Sequence, residues 1–189
     1  MFATLVAAGR GWGLALALGL GLALAAPSAQ ADPVSCTSSD GHWRLVAQGH
    51  TLSLKDAGGV TQRSWLLADR AGRLGEVLAL AEHASRRSFI VALRDVNEVW
   101  ELSVDPQAEP VFEGLVHDYR MGEGLARPGY LAIRRSLLSA PVLGIVVDGR
   151  HPWVLVHQLG GTAILHLDVR RLIPHVPGAA SQGSPATGR

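Results

Sequence analysis

The alternation of hydrophobic and polar residues predicts a β-hairpin between Asp148 and Asp168. Two apolar strands, Trp153 to His157 and Thr162 to Leu167, are separated by Gly160-Gly161. Short runs of β-branched and large apolar residues on either side of a Gly-Gly pair are typical of a tight hairpin. An Asp-Gly turn precedes the first strand, and an aspartate ends the second.

The same arrangement occurs twice more along the chain. Phe89 to Leu93 and Val99 to Val104 form an earlier hairpin. A single constant offset aligns this copy with the last one, placing Phe89 on Trp153 and Trp100 on Ile164. A third, weaker copy has the same order of strand, turn, strand and aspartate: Trp43 to Ala47, Thr51 to Leu54, and Asp56. Repetition of one hairpin predicts an all-β array whose units share a core.

The segments between these hairpins also favour strands. Glu76 to Ala84 contains the helix formers Leu, Ala and Glu. However, Val77 to Leu80 aligns with the strand-like Val142 to Ile145, so we predict a strand in both copies. Four further strands are expected: Val60 to Ala68, Val111 to Val116 as the fourth strand of the second unit, Leu131 to Leu138, and Val169 to Pro174 as an outer strand.

Composition divides the chain into four segments. Gly13 to Ala26 is an unbroken run of Gly, Leu and Ala followed by small residues, which predicts a secretory signal peptide over residues 1–31. This run is too short to cross a hydrocarbon layer of about 30 Å, which argues against the alternative of a membrane anchor. Residues 32–41 are expected to be a flexible lead-in, 42–173 the repeat domain, and 174–189 a disordered tail rich in Pro, Gly and Ser.

Composition and charge then limit the classes of function. The chain is 48% hydrophobic and 17% charged, as in globular proteins. Removal of residues 1–31 leaves a mature chain with 16 basic and 16 acidic side chains. A net charge of zero gives no electrostatic case for binding nucleic acid. Cys36 is the one cysteine, so an internal disulfide is excluded.

The residues that often carry chemistry do not form a catalytic pattern. The sequence contains no Gly-x-Ser-x-Gly, no Gly-x-x-x-x-Gly-Lys and no His-Glu-x-x-His. Asp56, Asp105 and Asp168 recur after the hairpins, and we interpret them as turn caps that accept backbone N–H bonds. We therefore predict no catalytic residue and no metal ligand.

Histidines and tryptophans have equally ordinary interpretations. His151, His157 and His166 cluster on the last hairpin, where His157 and His166 are expected to face each other across the turn. Two histidines provide half of a zinc site at best, so these are interpreted as surface or cross-strand residues. Four tryptophans in strands are interpreted as core rather than as a stacking surface: Trp43, Trp65, Trp100 and Trp153.

Two sets of residues resemble β-propeller families. Asp148 to Val156, followed by Thr162 to Asp168, is similar to the YVTN-type repeat with its "DGxxxYV" and "TVSVID" strands. Ser88 to Ser103 and Gly114 to Gly122 resemble the cytochrome d1-haem-type propeller domain. The resemblance covers roughly residues 42–173. At about 40 to 45 residues per blade, it implies a partial β-propeller of about three four-stranded antiparallel blades.

The resemblance to the d1-type family also implies a binding site. Its residues form the densest polar cluster of the glycine-rich loop: His117, Asp118, Tyr119 and Arg120. A histidine in a similar position of that family lies near the central cavity, which would make His117 a contact to haem or another ligand. Arg120 would then pair with an anionic group. The alternative is a loop held by its own Asp–Arg or Tyr hydrogen bonds.

Two hypotheses for function follow. The first is a periplasmic or secreted β-propeller-like binding or scaffold protein without its own catalysis and without a cofactor. The alternative is a d1-type haem-binding redox or haem-maturation protein. The short repeat domain further implies a protein partner or self-association that completes a propeller, because an open array exposes strand edges and apolar faces. A truncated relative or a compact packing of the sheets remains as an alternative to a closed ring. No nucleic acid and no membrane span after signal removal are expected.

Overall fold

The fold is built almost entirely from antiparallel sheet. The computed structural model describes residues 33–112 and 126–174. Three four-stranded sheets and one two-stranded ribbon make up this part of the chain. In chain order the strands are β1 Val34–Thr37, β2 Trp43–Gln48, β3 Thr51–Asp56, β4 Thr61–Leu66, β5 Glu76–His83, β6 Ser88–Arg94, β7 Glu98–Ser103, β8 Val111–Phe112, β9 Ala126–Arg127, β10 Ile133–Leu137, β11 Val142–Val147, β12 Trp153–Gln158, β13 Gly161–His166 and β14 Arg171–Pro174.

Each four-stranded sheet is an up-and-down blade. Blade 1 contains β1 to β4, blade 2 contains β5, β6, β7 and β10, and blade 3 contains β11 to β14. The first strand of blade 2, β5, lies against the first strands of both neighbours, β1 and β11, so the first strands form the common inner side of the array. The prediction of a partial β-propeller with about three four-stranded blades is therefore confirmed, as is a strand rather than a helix at Glu76–His83.

Blade 2 holds the array together because it is buried on both faces. Phe89, Val91 and Leu93 of β6 point into a cluster shared with blade 1. Ile90 and Ala92, the intervening residues, point into a second cluster shared with blade 3. Successive residues of a strand point to opposite faces, so a strand with partners on both sides must be apolar throughout. This explains the continuous apolar run in β6.

The repeat is present, and the predicted constant offset preserves its strand pairing. Phe89 pairs with Leu102 in blade 2, and the residues at the same offset in blade 3, Trp153 and His166, also pair. The faces of the strands differ, however, because Phe89 packs in the cluster shared with blade 1, whereas Val154, next to Trp153, packs against blade 2. Trp153 therefore lies on the opposite face of its blade from the one that the alignment with Phe89 predicts.

The fourth strand of blade 2 also differs from the prediction. Val111–Phe112 does not continue the blade, because it pairs with Ala126–Arg127 in a separate ribbon. The outer place beside β7 is taken by Ile133–Leu137. The segment between β7 and β10 is therefore an insertion that carries its own ribbon. Gly129 permits this fold, since a Cβ there would collide with the carbonyl oxygen of Glu109.

The residues expected to form a flexible lead-in are partly ordered. Val34–Thr37 forms β1 and pairs with β2, so the first blade begins inside residues 32–41. The backbone of this segment finds its hydrogen-bond partners on the edge of β2, which its polar composition did not indicate. Cys36 lies in this strand as a half-buried free thiol. Burial, reinforced by the charge of Glu82, raises its pKa.

Two of the three aspartate caps are confirmed. Asp56 accepts a hydrogen bond from the Val60 backbone N–H at 2.9 Å, and Asp105 accepts one from the Gln107 N–H at 3.1 Å. Asp168 instead accepts a bond from Arg86 of blade 2 at 2.7 Å. It therefore joins two blades, a contact between distant segments that the local turn pattern did not indicate.

Several predictions fall on residues outside the described parts. These are the signal peptide over 1–31, the polar cluster at 117–120, and the tail beyond Pro174, which itself ends β14. Within residues 33–112 and 126–174, no helix has the length and apolar character needed to span a membrane.

Candidate ligand pocket between blades 1 and 2

The outer strands of blades 1 and 2 enclose a cavity of about 450 Å³. Strand β4 provides one wall, β7 and β10 provide the other, and the insertion between β7 and β10 closes one end. The described lining residues combine aromatic, arginine and aliphatic side chains: Arg63, Trp65, Leu66, Trp100, Val111, Arg127, Pro128, Tyr130, Leu131, Ala132, Ile133 and Arg135. A cavity of a few hundred Å³ has the size of a small-molecule site.

The wall formed by blade 2 is fixed by the buried carboxylate of Glu98. Its side chain is 3% exposed and lies 2.7 Å from Arg135 Nη2. Glu98 Oε2 also accepts hydrogen bonds from Trp100 Nε1 at 2.7 Å and from Arg135 Nε at 2.8 Å. The Arg135 guanidinium lies 4.9 Å from the centre of the Trp100 ring, within the range of a cation–π contact. A buried charge with these partners locks two lining side chains in place.

Register explains why these three residues meet. Glu98 and Trp100 are two apart in β7, so they point to the same face. Arg135 lies directly opposite Trp100 on β10. Arg135 Nη2 also donates to the Ala68 carbonyl of the segment that follows β4, at 2.8 Å. The cluster of Glu98, Trp100 and Arg135, called the Glu98 clamp below, therefore connects blade 2 to blade 1 and fixes one wall of the pocket.

The wall formed by blade 1 repeats the pairing of arginine and tryptophan. The Arg63 guanidinium lies 5.8 Å from the centre of the Trp65 ring. Arg63 Nη1 donates to the Leu131 carbonyl across the cavity at 2.8 Å. Leu131 has a φ of 54°, in the left-handed region that a leucine rarely adopts. Backbone strain of this kind concentrates at ligand-binding segments.

The pocket is rich in arginine. Its described lining contains three guanidinium groups, those of Arg63, Arg127 and Arg135, and the charge of Arg135 is balanced by Glu98 behind the wall. Each guanidinium has five N–H donors in a planar fork that fits a carboxylate or phosphate. The ring faces of the tryptophans and Tyr130 offer flat apolar contacts. The arrangement is suited to a flat ring system that carries an acidic group.

The described lining holds few groups for hydrolysis or proton transfer. It contains Tyr130 but no serine, cysteine, histidine or carboxylate. For haem iron the protein ligands are His, Cys, Met or Tyr, and Tyr130 is the one such side chain among these residues. The described pocket thus fits the ring and the acidic groups of a haem better than it fits the iron.

A second cavity, of about 670 Å³, lies between blades 2 and 3 and is lined mainly by charged residues. One of its arginines, Arg86, is paired with two of its carboxylates. Arg86 lies 2.7 Å from both Glu101 and Asp168, and the Ser88 hydroxyl donates to Glu101 at 3.1 Å. Burial opposes the charge of Arg86, but the two carboxylates outweigh it and raise its pKa. We interpret this network as a structural link between blades.

The predicted site lies wholly outside the described residues. Its four residues, His117, Asp118, Tyr119 and Arg120, therefore stay a prediction. The ribbon that flanks residues 113–125 in the sequence borders the pocket, since Val111 and Arg127 both line it.

The histidines of the last hairpin do not face each other. His157 Nδ1 contacts Thr162 Oγ1 at 2.8 Å, whereas His166 pairs with Trp153. His151 stacks on Trp153 with ring centres 5.1 Å apart. Among the described residues, no group of three or more His, Cys, Asp or Glu could hold a metal ion.

The tryptophans are only partly the core residues that the sequence indicated. Trp100 is buried, and Trp43 and Trp65 pack against the same cluster. Trp153 lies instead on the outer face of blade 3, stacked with His151. Trp65 and Trp100 additionally line the pocket, which the interpretation as core did not anticipate.

Sequence reasoning missed the pocket because its walls come from distant segments. The spacing of Glu98 and Trp100 was a usable signal, since a charged residue on the face of a buried strand needs a partner. Nothing local pointed to Arg135 as that partner, because the position of β10 beside β7 depends on the length of the insertion.

The fold and the pocket together define a partial β-propeller with one arginine-rich, aromatic inter-blade cavity among its described residues. No family model matches the chain, and no curated protein matches it. Among solved structures, the chain is similar to dihydro-haem d1 dehydrogenase NirN in complex with DHE, with a TM-score of 0.56 and 24% identity over 76% of this chain. It is also similar to the Pseudomonas aeruginosa periplasmic gluconolactonase PpgL, with a TM-score of 0.48 and 17% identity over 74% of this chain.

The likeness to NirN supports the fold and confirms the propeller resemblance at the level of architecture. The chain spans 27% of the length of the NirN chain and 37% of that of PpgL. It therefore matches only a part of each of those proteins.

Proposed function

We propose that the protein is a non-catalytic β-propeller-like binding module that holds a flat, anionic small molecule in the pocket between blades 1 and 2. The observation that carries this proposal is the lining of aromatic rings and arginines, in which Arg63 contacts a backbone carbonyl and the Trp65 ring rather than a carboxylate. The buried Glu98 clamp supports it, because it orders Trp100 and Arg135 before any ligand arrives. Such preorganisation lowers the entropic cost of binding.

The binding occurs in the periplasm or outside the cell. The basis for this location is the predicted signal peptide over residues 1–31.

Haem binding is the second candidate. Its support is the likeness to NirN, whose structure is described as a complex with DHE, together with arginines that suit anionic side groups. Against it stands the lining of the pocket, where Tyr130 is the one described side chain of a type that ligates haem iron. The two candidates predict different spectra and different ligand preferences.

Fluorescence titration with two matched probes tests the proposal. The probes are 1-pyrenecarboxylate and the neutral 1-pyrenemethanol, which share a ring and differ in charge. We expect saturable energy transfer from tryptophan to the carboxylate probe. The neutral probe should bind about tenfold more weakly, because a hydrogen bond to a charged group contributes about 1.5 to 3 kcal/mol.

Variants locate the binding site. Arg63→Gln should weaken 1-pyrenecarboxylate about tenfold and leave 1-pyrenemethanol unchanged, whereas Tyr130→Ala should weaken both probes. Arg44→Gln is the matched control, since Arg44 lies on the other face of blade 1 and bonds Ser35 there. Equal binding of the two probes, or equal effects of Arg63→Gln and Arg44→Gln, would overturn the proposal. Haemin that binds with a shifted Soret band, while 1-pyrenecarboxylate does not bind, would favour the haem candidate.

A further inference from the structure

The two ends of the three-blade array have open sheet faces of opposite character. On blade 1, one row of side chains runs across all four strands on the face that points away from blade 2, and this row is mostly polar. Its members are paired across adjacent strands in register: Ser35, Val46, Ser53 and Ser64. Arg44 and Lys55 form a neighbouring cross-strand pair on the same face. A polar outer face of this kind is how terminal units of repeat arrays tolerate solvent.

On blade 3 the corresponding row is entirely apolar. It too is paired in register across all four strands: Val146, Leu155, Ile164 and Ile173. The alternate residues Val154 and Leu165 are buried against blade 2, so this row points the other way. Val146 is 51% exposed and Ile173 is 47% exposed.

Other exposed apolar residues gather on the same blade. Of the twelve large hydrophobic residues that are exposed in the described parts, five belong to blade 3 or its turns: Leu143, Val146, Leu159, Val169 and Ile173. Leu159 and Val169 lie in the turns, so the patch on the sheet face itself is the row. An exposed apolar patch on a sheet face marks an interaction surface.

We propose that a second copy of this chain docks on this face, blade 3 against blade 3, around a two-fold axis. A two-fold interface uses the same patch on both copies, so the patch must be complementary to itself. The row meets this condition because its four members are apolar. It is flanked on the same face by His157 and Thr162 on one side and by His166 and Arg171 on the other. The strands of blade 3 contain no Asp or Glu, and Arg171 lies at the end of the sheet rather than in the row.

Ring closure by two copies requires a different contact, blade 3 of one copy against blade 1 of the other. That contact would bury the polar row of blade 1 and the charges of Arg44 and Lys55. Blade 3 offers them no carboxylate from its strands, so the charges would lie unpaired against Leu155 and Ile164. The structure therefore favours a closed dimer with two polar ends over a closed ring.

The size of the face fits a modest affinity. Four strands of up to about six residues cover about 19 Å by 20 Å, or about 400 Å² in projection, at the usual strand spacing and rise. Two flat copies together bury about 800 Å², which is below the roughly 1,200 Å² of stable specific interfaces and places this contact among the weak, transient ones. We expect a dissociation constant in the micromolar range. The ligand pocket lies between blades 1 and 2, so this inference does not depend on the proposed function.

Sedimentation equilibrium over about 1 to 200 μM of the purified chain tests the inference, since these concentrations span a micromolar Kd. Val146→Arg should produce a monomer across the whole series. Val46→Arg, the matched change in the polar row of blade 1, should leave the dimer intact. Circular dichroism melting of both variants establishes that each is folded.

A cross-link identifies the geometry. In a Cys36→Ser background, Leu155→Cys should form an intermolecular disulfide with itself on mild oxidation, whereas Ser53→Cys should not. A monomeric wild type at the highest concentration would overturn the inference. A dimer that is lost in both Val146→Arg and Val46→Arg would overturn it in favour of ring closure.

Discussion

The ion pairs of Arg86 connect blades 2 and 3, and replacing Arg86 should lower the free energy of unfolding. The Arg86 side chain is 19% exposed and the Glu101 side chain 6% exposed, and their atoms Nε and Oε1 are 2.7 Å apart. Arg86→Ala leaves the Glu101 carboxylate buried without this cation. Breaking a buried pair from one side costs about 3 to 5 kcal/mol, and we take the lower value because water reaches Arg86.

Urea unfolding followed by tryptophan fluorescence measures this cost. With a slope of about 2 kcal/mol/M, a loss of about 3 kcal/mol lowers the midpoint by about 1.5 M. The control is Arg150→Ala, because Arg150 is 85% exposed in its pair with Asp148 and such pairs contribute less than about 1 kcal/mol.

A double variant separates the buried charge from lost packing. Arg86→Met combined with Glu101→Leu removes both charges and should be more stable than Arg86→Ala. If Arg86→Ala unfolds at the same urea concentration as the control, or if the double variant is the least stable of the three, the buried pair does not have the role assigned to it.

Three further changes have outcomes fixed by local geometry. A hydrogen bond from His151, followed by one from the backbone N–H of Arg150, lowers the pKa of Asp148 from 3.8 to about 2. The ionised carboxylate therefore stabilises the fold above about pH 4, and this stabilisation is lost as the pH falls towards 2. Asp148→Asn should reduce the pH dependence of the melting temperature over that interval. Gly129→Ala should cost at least about 2 kcal/mol in urea unfolding, in the upper part of the range for steric overpacking, because its Cβ would overlap a backbone oxygen, whereas Gly160→Ala, which meets open space, should cost less than about 1 kcal/mol. The raised pKa of Cys36 predicts slower alkylation by iodoacetamide at pH 8 than in the urea-unfolded chain.

Most of the fold could be predicted because it rests on local patterns. The hairpin at Gly160-Gly161 and the apolar run of β6 are determined by turn residues and by period-2 alternation. The array of three blades follows from repeating that unit. The constant offset between blades 2 and 3 reproduces the strand pairing but not the buried face, because the similarity of two sequences does not define which face of a strand meets its neighbour.

The candidate site depends on contacts between distant segments, and sequence alone could not supply them. Arg135 contacts Glu98 only because the chain returns after the insertion and places β10 beside β7. Asp168 meets Arg86 from a different blade, far along the chain. The predicted cluster from His117 to Arg120 rested on a family resemblance, and the comparison with NirN at 24% identity supports the fold without assigning those residues a role.

The measurement that tests the proposed pocket most directly is amide hydrogen exchange with and without saturating 1-pyrenecarboxylate. We predict added protection in Thr61–Leu66 and Ile133–Leu137, which are the pocket strands β4 and β10. The strands of blade 3 should be unchanged at concentrations where the protein is monomeric. Protection confined to blade 3, or no added protection at saturating probe, would contradict the assignment of the pocket between blades 1 and 2 as the ligand site.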